Sequence, residues 1–165
     1  MTIYWLMLAV PLLATLSPGN IGRDVKVLGL FLAFVALVLI IGLRDEIGCD
    51  WEPYEIHYLR GEQESLAEGI QRMEAGYGLI NWVSAQLGLG VYAVNTACAA
   101  IFAFGLLAFC RRQPLPSLAL AAAIPYMVIV VAMGYTRQAA ALGIVMLAFN
   151  AFADRRPRRF LILLG

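Results

Sequence analysis

Tyr135-Thr136-Arg137-Gln138 stands between two long apolar stretches, and Arg137 is the residue whose presence demands a reason. A guanidinium near the bilayer centre costs roughly 2.5 to 3.5 kcal/mol even on the lenient insertion scale, so an arginine inside or at the edge of a span is a functional hypothesis by default. Its natural ligand is an anion: the planar fork of arginine meets phosphate oxygens two at a time and stays charged. The competing reading is an arginine that snorkels from a helix end to lipid headgroups. A second arginine, Arg44, opens a strongly acidic stretch. Residues 44–74 hold nine acids (Asp45, Glu46, Asp50, Glu52, Glu55, Glu62, Glu64, Glu68 and Glu74) against Arg44, Arg60 and Arg72. An acidic surface of this kind argues against nucleic acid as a partner, because phosphate backbones need a basic one. A solvated outer face is the plainer account of most of these acids.

The elements that must position these residues follow from composition. The chain is 62% hydrophobic and 14% charged, far from the mix of a soluble domain. It is a membrane protein. Runs near the roughly 20 residues that cross a bilayer lie at Ile3 to Leu16, Val25 to Leu43, Val91 to Cys110, Leu115 to Met133 and Gly134 to Ala153. The expectation is an all-α, polytopic transmembrane bundle of about five spans, with Pro125 a tolerated kink in the fourth. Phe160 to Gly165 begins a sixth apolar run that stops after six residues, so the chain reads as a single membrane domain over residues 1–165, truncated at its C-terminus.

Short cytoplasmic loops carry an excess of lysine and arginine. Arg23 with Lys26, Arg111 with Arg112, and Arg155, Arg156, Arg158 and Arg159 all fall inside if the five spans alternate with the N-terminus outside. Residues 44–90 then form one large extracytoplasmic loop, and Gly134 to Gln138 a tight turn at the same surface. Met1 to Leu16 lacks the basic n-region and the small-residue cleavage site of a signal peptide, so it reads as a retained span.

Within the loop, Asp50-Trp51-Glu52-Pro53 reads as a helix start, with an acid to cap and a proline tolerated in the first turn. Ser65-Leu66-Ala67-Glu68 matches a capping box and predicts a second helix. Tyr77 to Leu87 is apolar but too short to span, and is expected to lie in the interface or re-enter the outer leaflet, where tyrosine and tryptophan favour the headgroup level. A helix packed on its neighbours for stability alone is the other account of it. Cys49 stands alone in the loop, Cys98 and Cys110 share one helix, and His57 is the only histidine; neither a disulfide framework nor a metal spacing is present. No glycine-rich phosphate loop or internal repeat is evident, and no cofactor is implied.

Three segments, taken in order, resemble the EpsG family of Wzy-type exopolysaccharide polymerases: Leu43-Arg44 leading to Gly48-Cys49-Asp50-Trp51 and Tyr54; Glu74-Ala75-Gly76-Tyr77; and Arg137-Gln138-Ala139-Ala140-Ala141. They match the family's L-R-x-x-x-G-x-D segment after the second span, its E-x-G-[FY] segment, and its R-Q-x-x-A helix start. Each is weak alone; order and spacing together are fairly specific. The family continues through further spans, so the chain resembles its N-terminal portion, inactive by itself. The resemblance implies a polymerase at the outer face of the bacterial inner membrane, acting on oligosaccharides carried by undecaprenyl diphosphate, with the lipid bilayer and other polysaccharide assembly proteins as its surroundings. It needs no nucleotide sugar. On this reading Arg137 and Arg44 bind the diphosphate, Asp50 or Glu74 is the base for the acceptor hydroxyl, and Trp51, Tyr54, Tyr77 and Gln138 contact sugar. Asp50 as a helix cap or Arg44 partner, and Glu74 as a first-turn acid, remain the structural alternatives. A transporter of lipid-linked sugars would need polar residues through the spans to the inner face, and here Asn95, Thr96 and Asn150 are the main ones; a noncatalytic subunit of an assembly complex is the other alternative.

Overall fold

A computed structural model describes residues 2–16, 22–48, 51–61 and 65–164, and these are helical with no strand among them. The helices are α1 (Thr2–Ala14), α2 (Arg23–Gly42), α3 (Trp51–Gly61), α4 (Leu66–Arg72), α5 (Ala75–Gln86), α6 (Gly90–Cys110), α7 (Pro116–Ala123) running into a π-helical segment (Ile124–Ala132), α8 (Thr136–Ala153) and α9 (Pro157–Leu164). Three of them, α2, α6 and α8, are long and apolar enough to cross a membrane. Two of the five expected spans come out shorter: α1 has 13 residues, and α7 with its π segment covers Pro116–Ala132. The π segment has a local cause. Pro125, its second residue, has no N–H to give to the carbonyl four residues back and its ring crowds that turn, so the ladder re-registers to wider bonds.

The bundle is built around α6, which packs on α8 most extensively and on α2 next. Close approach of α6 and α8 depends on two glycines. A Cβ on Gly105 would fall on the Gly143 carbonyl, and one on Gly143 would stand 2.6 Å from the Ile101 carbonyl oxygen. Without water-driven burial between spans, small residues that let backbones touch supply the contact. The main core joins Leu37 and Ile41 of α2, Phe102 and Leu106 of α6, Val128 of the π segment and Met146 of α8, all buried.

At one end of the bundle α2 finishes, α6 starts, the π segment finishes and α8 starts. The short helices α3, α4 and α5 gather there, with Tyr54, Tyr58, Met73 and Tyr77 packed on Val91, Val94 and Cys98 of α6. The expected starts hold. Helix α3 begins at Trp51, and α4 has the full capping box, the Glu68 amide donating to Ser65 Oγ at 3.4 Å and the Ser65 amide to Glu68 Oε2 at 2.8 Å. The Ser65 amide, and with it the Ser65 hydroxyl, donates to the Glu68 carboxylate and holds it below the usual carboxylate range. The apolar run after Gly76 is helix α5, packed on α3, α4 and α6. At the opposite end Arg112 makes a two-bond fork to Asp154, at 2.7 and 2.8 Å, joining the end of α6 to the end of α8. Arg155 then takes a left-handed φ of 55°, and α9 turns back along α8 with Phe160 against Phe152.

Candidate functional site

The two arginines singled out by the sequence have different surroundings. Arg44 lies two residues past the end of α2 and is 4% exposed. Its Nε donates to the Ile47 carbonyl at 3.0 Å, Nη1 to the carbonyls of Ile41 at 3.0 Å and Ala132 at 3.3 Å, and Nη2 to Thr136 Oγ1 at 2.5 Å. Thr136 in turn donates to Asn95 Oδ1 at 3.1 Å, and both are buried. One guanidinium thus joins the ends of α2 and the π segment to the first residue of α8, and through Thr136 reaches α6. Burial lowers its pKa, yet arginine starts high enough to stay charged. Gly48, at φ 115°, seats the loop against the turn before α8, where a Cβ would stand 2.6 Å from the Met133 carbonyl oxygen. A left-handed φ and no side chain are both required there.

Arg137, the next residue after Thr136, points the other way. Its guanidinium carbon sits 5.9 Å from the ring centre of Tyr54 and 5.5 Å from that of Tyr77. Those rings tilt against each other at 6.0 Å, one supplied by α3 and one by α5. Each aromatic face attracts the cation. Nη1 lies 3.5 Å from Glu74 Oε2, in a pair whose side chains are 34% and 72% exposed. Arg137 also stands in the first turn of α8, where the free amides and the positive end of the helix dipole add to its own charge. The arrangement is a cation held from below by two tyrosines, open above, and balanced by one loosely held carboxylate. An anion with several oxygens could replace that carboxylate without disturbing the rings.

The residues expected at the site divide as follows. Arg137, Glu74, Tyr54 and Tyr77 come together, and Arg44 lies beneath them at the start of α8. Asp50 and Cys49 fall outside the described residues. Tyr54 and Tyr77, expected to stack on sugars, have their rings covered, at 1% and 6% exposure, and the face they offer is the bed of Arg137. Burial also pushes the Tyr77 hydroxyl pKa up. Gln138 is exposed beside Arg137. Trp51 is half-buried and tilts against Tyr92 at 5.7 Å. The two line an open cleft of about 500 Å³ with Asp45, Glu46 and Glu55, and the Tyr92 hydroxyl donates to Asp45 Oδ1 at 2.7 Å.

Tyr92, Asp45, Thr136 and Asn95 were not expected there; two polar residues in an apolar run, Asn95 and Thr96, were the one available sign that α6 had a polar partner. Among the described residues no three His, Cys, Asp or Glu side chains converge to hold a metal. Cys98 and Cys110 are separately buried in α6.

No curated protein and no solved structure matches the chain. The segments that carried the resemblance, Leu43-Arg44, Glu74 to Tyr77 and Arg137-Gln138, are far apart in sequence and meet at one end of the bundle. The sequence model described as the EpsG family matches residues 27–164, most of the chain, and the protein belongs to the EpsG family.

Proposed function

We propose that this chain belongs to a glycan polymerase that works at the outer face of the bacterial inner membrane, with Arg137 holding the diphosphate of an undecaprenyl-diphosphate-linked oligosaccharide. The observation that carries the reading is the one-third-exposed Arg137 at the start of α8, bedded on Tyr54 and Tyr77 with Glu74 as its exposed partner. In the reaction an acceptor sugar hydroxyl attacks the anomeric carbon of the lipid-linked glycan. The new C–O bond forms as the bond to the diphosphate breaks, the diphosphate leaves with the electron pair, and the hydroxyl proton passes to a carboxylate. Arg137 neutralises the departing oxygens. Glu74, released from Arg137 as the diphosphate binds, is placed to take the proton, and Asp50 is the second candidate from its position beside Trp51. Arg44 acts as a positioning residue that fixes where α8 begins. Trp51 and Gln138 are the residues proposed to contact sugar. The topology on this reading has five spans, with α3 to α5 outside.

Loss of one well-placed electrostatic donor costs a reaction about 10² to 10³ in rate. Polymer length is measured in cells lacking the native copy and supplied with Arg137→Ala or Arg137→Lys, membrane levels being matched. Short lipid-linked repeats without polymer are expected from the alanine variant, and strongly shortened polymer from the lysine variant, which keeps the charge and loses the fork. Normal polymer from both would refute the assignment and favour a noncatalytic membrane subunit.

A further inference from the structure

A second, apolar cavity lies away from this site. Helix α1 packs on α7 and the π segment, α2 packs on α6, and a slot of about 530 Å³ remains between α1 and α2. Its walls are apolar side chains such as Leu6 and Val10 of α1 and Leu120 of α7. It stays open because α2 presents Gly29 and Ala33 to it, and a Cβ placed on Gly29 would meet nothing within 4 Å. Along α2 the slot runs from Lys26 to Ile40, about 21 Å at the helical rise, which exceeds the roughly 15 Å of one leaflet's hydrocarbon.

The polar groups of the lining are confined to one end. Lys26 in the first turns of α2, Arg111 at the end of α6 and Ser117 near the start of α7 lie there. Among the described residues the ion pairs are Arg112 with Asp154 and Arg137 with Glu74, so neither Lys26 nor Arg111 has a carboxylate partner. Two cations at the mouth of an apolar slot of leaflet length complement an amphiphile whose head is anionic and whose tail is a hydrocarbon chain. Basic pockets between spans hold acidic lipid headgroups for this reason.

We infer that the slot between α1 and α2 is a binding site for one anionic phospholipid, its acyl chain along Gly29 and Ala33 and its phosphate on Lys26 and Arg111. The site lies at the end of the bundle opposite Arg137 and is independent of the polymerase reading. Bound there, the lipid fills the gap between α1, which packs on α7 and the π segment, and α2, which packs on α6.

The test uses the purified, delipidated chain in detergent, titrated with phosphatidylglycerol or phosphatidylcholine and read by native mass spectrometry. One phosphatidylglycerol is expected to be retained in preference to phosphatidylcholine by about 30-fold, the worth of two interfacial cations. The Lys26→Gln/Arg111→Gln pair should lose that preference, while Arg158→Gln/Arg159→Gln, equally basic and outside the slot, keeps it. Ala33→Phe, which fills the slot and leaves both cations, should lose the lipid as well. Equal retention of the two lipids, unchanged preference in the glutamine pair or in Ala33→Phe, or a lipid-free dimer in which a second copy occupies the slot, would each overturn the inference.

Discussion

Arg44 offers the sharpest test of how the site is built. Replacing it with methionine keeps an apolar stem of similar reach and removes every donor. The Ile47 carbonyl belongs to an exposed loop residue and finds water, but the Ile41 and Ala132 carbonyls lose this donor in the buried junction between α2, the π segment and α8, and the Thr136 hydroxyl keeps the bond it donates to Asn95 while losing the one it accepts. A buried acceptor without a donor costs about 1 to 3 kcal/mol. The two carbonyls, with the lost charge-assisted bond to Thr136, outweigh what is regained by no longer burying a charge, and the net loss comes to about 3 kcal/mol, at the lower edge of what breaking a buried charged network costs. For a chain of this size that corresponds to a fall in Tm of about 6 to 12 °C. Thermal unfolding in detergent, followed by circular dichroism, measures it, and hydrogen exchange over residues 136–141 should show the first turn of α8 opening earlier than the rest of that helix. Arg137→Met is the control. Its guanidinium is a third exposed and pairs with a mostly exposed acid, so its removal should cost less than about 1 kcal/mol. An Arg44→Met protein that melts with the wild type, or an Arg137→Met protein that melts as early as Arg44→Met, would refute the division of labour between the two arginines.

Three further outcomes follow from the packing and the caps. Gly105→Ala should destabilise the bundle by about 1 to 3 kcal/mol, because the added methyl falls on the Gly143 carbonyl and the two central helices must separate; a melting temperature equal to wild type would contradict it. Ser65→Ala should loosen α4 locally by about 0.5 to 2 kcal/mol, seen as faster hydrogen exchange over residues 66–72 with little change elsewhere. Asp154 is held below the usual carboxylate range by its fork to Arg112, so its contribution is fully present above the ordinary aspartate value near 3.9 and is lost as pH falls through the lowered folded value. The acid limb of a stability-against-pH curve should therefore be shallower in Asp154→Asn than in wild type, and both pair members being well exposed, the difference should shrink in high salt.

Local rules made much of this protein legible. Apolar runs of bilayer length predict helices because every backbone polar group in a membrane must be satisfied within its own segment, and α2, α6 and α8 lie where the runs at Val25 to Leu43, Val91 to Cys110 and Gly134 to Ala153 put them. Ser65 and Glu68 announce α4 because a capping box acts across four residues and needs nothing from elsewhere. Leu43-Arg44, Glu74 to Tyr77 and Arg137-Gln138, by their order, pointed to the family. Tertiary structure decided what these residues touch. Arg44 and Arg137 are the same residue type at the edges of two apolar runs, and nothing local separates them. Thr136 and Arg137 stand about 100° apart around α8, and Arg44 holds the threonine inward, so the next side chain turns out toward α3 and α5. Tyr54 and Tyr77 became a bed for a cation because two short helices crossed there, and Trp51 met Tyr92 across a chain separation that no periodicity measures. The sequence by itself determined the helices, their caps and the kind of charge at each end; the rotation of α8, set by the Gly105 and Gly143 contact and by a buried guanidinium, decided which arginine is structure and which is left open to a ligand.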